Sequence, residues 1–84
     1  MSDEEGTTAE EVLLYLLAQL VEQPDQVELE IEETDTKISL MAKVSSEDIG
    51  RVIGKRGRVA NSIRTLVRAA AVKDGVEVEV DFSD

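Results

Sequence analysis

The chain has 84 residues, 42% of them apolar, with neither cysteine nor histidine and a formal net charge of −10. That length suits one small domain with a modest core, and the apolar share is that of a globular chain rather than a disordered one. The missing residue types exclude disulfides, thiolate metal sites and the commonest general base, and no apolar run approaches the roughly 20 residues of a membrane span.

Residues 1–7 hold Asp3, Glu4 and Glu5 and read as an acidic, flexible N-terminus. A signal peptide would begin with positive charge and an apolar stretch, so a cytoplasmic protein is the default expectation. Residues 8–84 are read as the domain. Thr8 can cap a helix, with Glu11 completing a capping box. Leu13, Leu16, Leu17, Leu20 and Val21 then follow the i, i+3, i+4, i+7, i+8 spacing of one apolar face. Pro24 should end that helix at or just before Gln23. Val27, Leu29 and Ile31 alternate with Glu28, Glu30 and Glu32, as in a half-buried strand. A turn at Glu33, Thr34, Asp35 and Thr36 leads to a second alternating strand with Ile38, Leu40, Ala42 and Val44 on its inner side. The short connection favours an antiparallel hairpin.

Ser45 is a good N-cap for the next helix, and Glu47 and Asp48 suit its first turn. Gly54 and Gly57 interrupt it early. A longer helix resumes near Arg58, with Val59, Ile63, Leu66, Val67 and Ala70 as its expected buried stripe. Asp74 and Gly75 supply a stop. Val76, Val78, Val80 and Phe82 alternate with Glu77, Glu79 and Asp81 as a last strand. A helical crossover joins the second and third strands, so they should run parallel if they are neighbours. The pattern is α+β, with one sheet face covered by helices and the other exposed and rich in carboxylates.

The net charge hides an asymmetry. Residues 49–73 contain Arg51, Lys55, Arg56, Arg58, Arg64, Arg68 and Lys73 and no acidic residue, while all nineteen Asp and Glu lie elsewhere. Within this basic segment, Gly54-Lys55-Arg56-Gly57 sits between two helices. Glycine permits a tight turn and leaves no side chain to block an approaching backbone. The helix start that follows presents free N–H groups and the positive end of its dipole, a combination that attracts phosphate. A Gly-x-x-Gly alone marks a turn more often than a site. Helical flanks, two basic central residues and an acid-free surround give this one more weight.

The stretch Val52-Ile53-Gly54-Lys55-Arg56-Gly57-Arg58, followed by Ile63, resembles the signature of KH domains. The order of elements resembles the type II arrangement. The longer run from Ile49 through Gly57, with Ile63-Arg64-Thr65-Leu66-Val67-Arg68-Ala69-Ala70-Ala71, is similar to the small single-KH RNA-binding proteins of bacteria that form the KhpA family. The resemblance spans nearly the whole chain. It implies a three-stranded mixed sheet covered on one face by three helices, and a groove for about four nucleotides of single-stranded RNA clamped by the Gly-x-x-Gly backbone. The residues it points to for phosphate are Gly54, Lys55, Arg56 and Gly57; on their charge alone, Arg58, Arg64 and Arg68 are expected to extend the positive surface along the longer helix, and Arg51 is a further basic candidate for RNA. Ile49, Val52, Ile53 and Ile63 are its candidates for an apolar groove, although core packing accounts for each of these equally well. The resemblance further implies an RNA chaperone or post-transcriptional regulator. The partner would be a second copy, or a larger KH-domain protein of the KhpB (Jag) kind, because one KH domain alone binds few nucleotides and linkage multiplies affinity.

Other motifs fail. Gly50 to Lys55 lacks the spacing and the Ser or Thr of a phosphate-binding Walker loop. The carboxylates alternate on strands, where a solvated face explains them better than calcium or glycosidase chemistry. No nucleophile and base can be paired, and neither enzymatic activity nor a cofactor or metal is expected. With only Tyr15 and Phe82 as aromatics, recognition by base stacking is disfavoured. The competing expectation is a KH-fold protein-interaction or dimerisation module with minor nucleic-acid binding, consistent with the strong acidity. Single-stranded DNA is a third possibility, since such a loop grips phosphate rather than the 2′-hydroxyl.

Overall fold

The computed structural model of the chain describes residues 8–72 and 75–84. The acidic residues 1–7 lie outside the described residues, as do Lys73 of the basic segment and Asp74 of the expected helix stop.

Thr8, the expected cap, is within the described part of the first helix, α1 (Thr8–Leu20). This helix buries Ala9, Leu13 and Leu17, with Val21 buried just past its end and Leu16 and Leu20 half-buried alongside. It ends three residues earlier than the proline requires, and Pro24 instead opens a single 3₁₀ turn, Pro24–Gln26. The hairpin follows as expected. Strands β1 (Glu28–Glu33) and β2 (Lys37–Lys43) pair antiparallel. The turn between them is closed by Thr34, whose N–H donates to the Lys37 carbonyl at 2.8 Å and whose Oγ1 accepts the Lys37 N–H at 3.1 Å.

Two helices then cross the sheet: the short α2 (Ile49–Ile53) and the long α3 (Arg58–Val72). Strand β3 (Glu77–Ser83) returns parallel to β2, giving the sheet order β1-β2-β3. The architecture is α+β, a three-stranded mixed sheet with its helices on one face. The core lies between them: Ile38, Leu40, Ala42 and Val44 from the middle strand and its end, Val78 and Val80 from β3, and the apolar faces of α1, α2 and α3.

Two expected burial patterns differ. On β1, Leu29 is half-buried but Ile31 is 41% exposed. The crossover helices pack on β3, so the far end of the outer strand β1 goes uncovered. On α3 the buried stripe is Ala60, Ile63, Val67 and Ala71, whereas Leu66 is 51% exposed. Both stripes share Ile63 and Val67. The helix is rotated so that two alanines face inward, where their small side chains suit its packing against both α1 and β3.

The other sheet face meets solvent. Registered rows across it read Glu30–Met41–Asp81 and Glu32–Ser39–Glu79, so carboxylates flank the middle strand on both sides. Lys37 bridges Glu79 at 2.8 Å.

These burial differences carry a stability prediction. Leu17→Ala empties a fully buried site at the α1 interface and should lower unfolding free energy by about 2–5 kcal/mol. Ile31→Thr, on the uncovered strand end, should cost less than about 1 kcal/mol. Urea unfolding midpoints measure both, and equal losses would place Ile31 under the helices.

Candidate nucleic-acid interface

The crossover breaks at its glycines. The Gly54 N–H bonds back to the Gly50 carbonyl at 2.9 Å, and Gly54 then leaves helical geometry at φ 74°, ψ 177°. A Cβ on Gly54 would stand 2.4 Å from Val59 Cγ2 and 3.0 Å from the Val59 backbone nitrogen. Lys55–Gly57 form one 3₁₀ turn, in which Arg56 takes the left-handed conformation at φ 57°, ψ 25°. Gly57 is at φ 73°, and its position opens onto free space. The two glycines therefore serve different ends. Gly54 lets the turn pack against the start of α3, and Gly57 reverses the chain without obstructing what approaches it.

Lys55, Arg56 and Arg58 are exposed, and among the described residues none of them makes an ion pair. They stand at the N-terminal end of α3, where the helix dipole adds positive potential. Arg51 and Arg64, expected on the same surface, are engaged elsewhere. Arg51 pairs with Glu22 at 3.1 Å and Asp48 at 3.4 Å. Arg64 donates from Nε to the Val80 carbonyl at 2.8 Å and from NH1 to Asn61 Oδ1 at 3.0 Å, and it lies over the Phe82 ring. Of the apolar candidates, Val52 and Ile63 are buried in the core, while Ile49 and Ile53 are half-buried beside the turn.

Asp48 is the residue whose role the sequence pattern conceals. The pattern makes it an ordinary first-turn acid behind a Ser45 cap. It stands immediately before α2, and its side chain, 1% exposed, makes no capping bond to that helix. Its carboxylate instead accepts the Glu22 and Gln23 backbone N–H groups, each at 3.1 Å, and the Ser45 hydroxyl at 3.2 Å. The Gln23 side-chain amide donates to Glu47 alongside. The N–H groups just past α1 are thus satisfied by a residue 25 or 26 positions later, which fastens α1 to the base of the glycine turn. The Glu22 N–H chiefly holds the Asp48 carboxyl below its ordinary 3.8. Burial opposes that shift, and Gln23, Ser45 and Arg51 add to it.

A mixed three-stranded sheet, helices on one face and a glycine-bracketed basic turn inside the crossover define a KH domain of type II connectivity. The family model for the KH domain of KhpA and KhpB matches residues 10–82. The chain is 44% identical over 73 residues to the RNA-binding protein KhpA of Listeria monocytogenes, covering 87% of this chain and 96% of that one. Identity is 41% over 75 residues with KhpA of Bacillus subtilis (89% and 93% covered) and 36% over 74 residues with KhpA of Borreliella burgdorferi (88% and 90%). The chain belongs to the KhpA/KhpB KH-domain family.

The turn predicts an asymmetry between its glycines. Gly57→Ala incurs only the left-handed backbone cost of about 1–2 kcal/mol, whereas Gly54→Ala must also displace Val59 and should destabilise more. Thermal unfolding of the two variants tests the order. Asp48 predicts an acid dependence. Its folded pKa is depressed, so its contribution is complete above its unfolded value of 3.8 and is lost as pH falls through the lower folded value. Asp48→Asn should therefore be less stable than wild type at neutral pH, and the gap should narrow as acid is added below that value. A gap that stayed constant would mean the charge is immaterial.

Proposed function

We propose that this domain binds single-stranded RNA through the Gly54-Lys55-Arg56-Gly57 turn and acts in the cytoplasm as an RNA chaperone or post-transcriptional regulator. The observation that carries the proposal is the exposed trio Lys55, Arg56 and Arg58 on a glycine-bracketed turn, among the described residues unpaired in an otherwise acidic chain. Matching relatives are named RNA-binding proteins, which supports the same reading. The glycine turn and the start of α3 hold phosphate, and Ile49 and Ile53 border the strand's path. Arg51, Val52 and Ile63 serve the binding surface by holding its shape. The carboxylates of the outer sheet face repel phosphate and steer RNA to the helical side.

A single KH domain grips about four nucleotides, so its affinity is low by itself. A second copy, or a KhpB-like protein with its own KH domain, supplies the missing avidity.

A second reading, a protein-interaction module with little RNA binding, draws on the net charge of −10. Salt separates the two. Titration of a labelled single-stranded RNA at two salt concentrations should show binding that weakens with salt. In Lys55→Asp/Arg56→Asp the affinity should fall at both concentrations, and the salt slope should drop by roughly 0.7 for each phosphate no longer neutralised. Circular dichroism establishes that the variant folds. Absent wild-type binding, or equal binding by both proteins, would favour the protein-interaction module.

A further inference from the structure

The sheet has two outer edges, and they differ. On β3 the outward carbonyls of Val80 and Val78 are met by arginines of α3. Arg64 Nε donates to the first at 2.8 Å, and Arg68 Nε approaches the second at 3.5 Å. Strand β1 forms the other edge, on the side away from the crossover helices. Its hydrogen-bonding phase follows from the hairpin turn. The Thr34 N–H donates to the Lys37 carbonyl, so by alternation Glu32–Ser39, Glu30–Met41 and Glu28–Lys43 are the bonded pairs. The N–H and C=O groups of Leu29, Ile31 and Glu33 therefore point away from the sheet. Among the described residues no loop or side chain bonds to them. An uncapped edge of this kind is a template for one more strand.

The side chains of β1 set what kind of strand fits. Leu29 and Ile31 lie on the helix side, opposite Ala42 and Leu40. Leu29 is only half-buried and Ile31 is 41% exposed, so an apolar neighbour would cover surface that the fold leaves open. Glu28, Glu30 and Glu32 alternate with them on the outer face, all exposed. Two copies of β1 laid edge to edge would set these carboxylates opposite one another, which is destabilising. A second copy is thereby disfavoured as the occupant. Lysine or arginine on the outer face is favoured, and β2 already shows the pattern: Lys43 stands opposite Glu28, and Lys37 bridges Glu79 at 2.8 Å.

We propose that the free edge of β1 is a docking site for a partner protein, which adds an extended segment of alternating basic and apolar residues as a fourth strand. Its basic side chains face Glu28, Glu30 and Glu32, its apolar ones cover Leu29 and Ile31, and its backbone pairs with Leu29, Ile31 and Glu33. The edge shares no residue with the glycine turn, so docking there does not rest on the RNA-binding reading.

The probe is an octapeptide of alternating lysine and valine. It is compared, by NMR titration and amide hydrogen exchange, with a peptide of the same composition in which all the lysines precede the valines. Wild type should bind the alternating peptide about tenfold more tightly than the block peptide, as a few cross-strand contacts together supply. The Leu29, Ile31 and Glu33 amides should exchange more slowly in its presence. Ile31→Pro removes an outward N–H at an edge position, where proline is tolerated and the pairing of β1 with β2 is untouched, and it should abolish the preference. No binding, equal binding of the two peptides, binding that leaves those amides exchanging freely, or a preference that survives Ile31→Pro overturns the proposal. Amide protection that needs no peptide and rises with protein concentration makes the occupant a second copy, and overturns it too. If Ile31→Pro does not fold, Glu30→Lys/Glu32→Lys on the exposed face decides. That variant should bind the alternating peptide about tenfold more weakly than wild type, and unchanged binding sinks the proposal.

Discussion

Parallel neighbouring strands cannot be joined by a tight turn, so the chain between β2 and β3 has to cross one face of the sheet and come back. That constraint organises the molecule. It puts α2 and α3 on a single face and leaves the opposite face to solvent, and it requires the chain to change direction in the middle of the crossover. The glycine turn is where that change happens. Val59 presses so close to Gly54 that a side chain there would overlap it, so the bend is built into packing as well as backbone geometry. The basic turn is held out from the body because the helices on either side of it are anchored: α2 by Val52, α3 by Ala60, Ile63, Val67 and Ala71.

Asp48 adds a second anchor, between elements far apart in sequence. A carboxylate with almost no exposure is costly unless its charge and lone pairs are met. Here two backbone N–H groups, a serine hydroxyl and Arg51 meet them. The same contacts give α1 an end that helix propensity does not dictate, and they tie it to the residues that launch the crossover. Arg51 thereby belongs to the support of the turn, although its place in the basic segment suggests a surface role.

The charges divide by layer. Carboxylates concentrate on the exposed sheet face, where β1 and β3 flank β2, and among the described residues the cations without an ion pair include the cluster Lys55, Arg56 and Arg58 at the start of α3. The two populations sit on opposite sides of one thin domain. A net negative protein thus keeps one positive surface.

Much of this is legible in the residues. Period-two alternation places all three strands, glycine spacing places the break in the crossover, and the acid-free window around Lys55 and Arg56 marks the candidate interface, because each is a local pattern with a local cause. The stripe on α3 is read in part, right at Ile63 and Val67 and wrong at Leu66. Leu66 is the stronger apolar signal, but Ala60 and Ala71 fit the space against α1 and β3, and that space exists only once the other elements are in place. Ile31 has the right alternation and lacks a helix above it. Arg51, Arg64 and Asp48 look like ordinary charged residues in the chain. Besides the contacts of Arg51 with Asp48 and of Arg64 with Asn61, three residues away, their partners are a helix end 25 or more residues away and the edge of a strand not yet made, and no local pattern encodes those distant pairings. The sequence by itself determined the elements, their order and the basic turn, since these follow from neighbours along the chain. Tertiary structure alone decided which charges are free to meet a ligand, because that depends on which ones the fold has already paired.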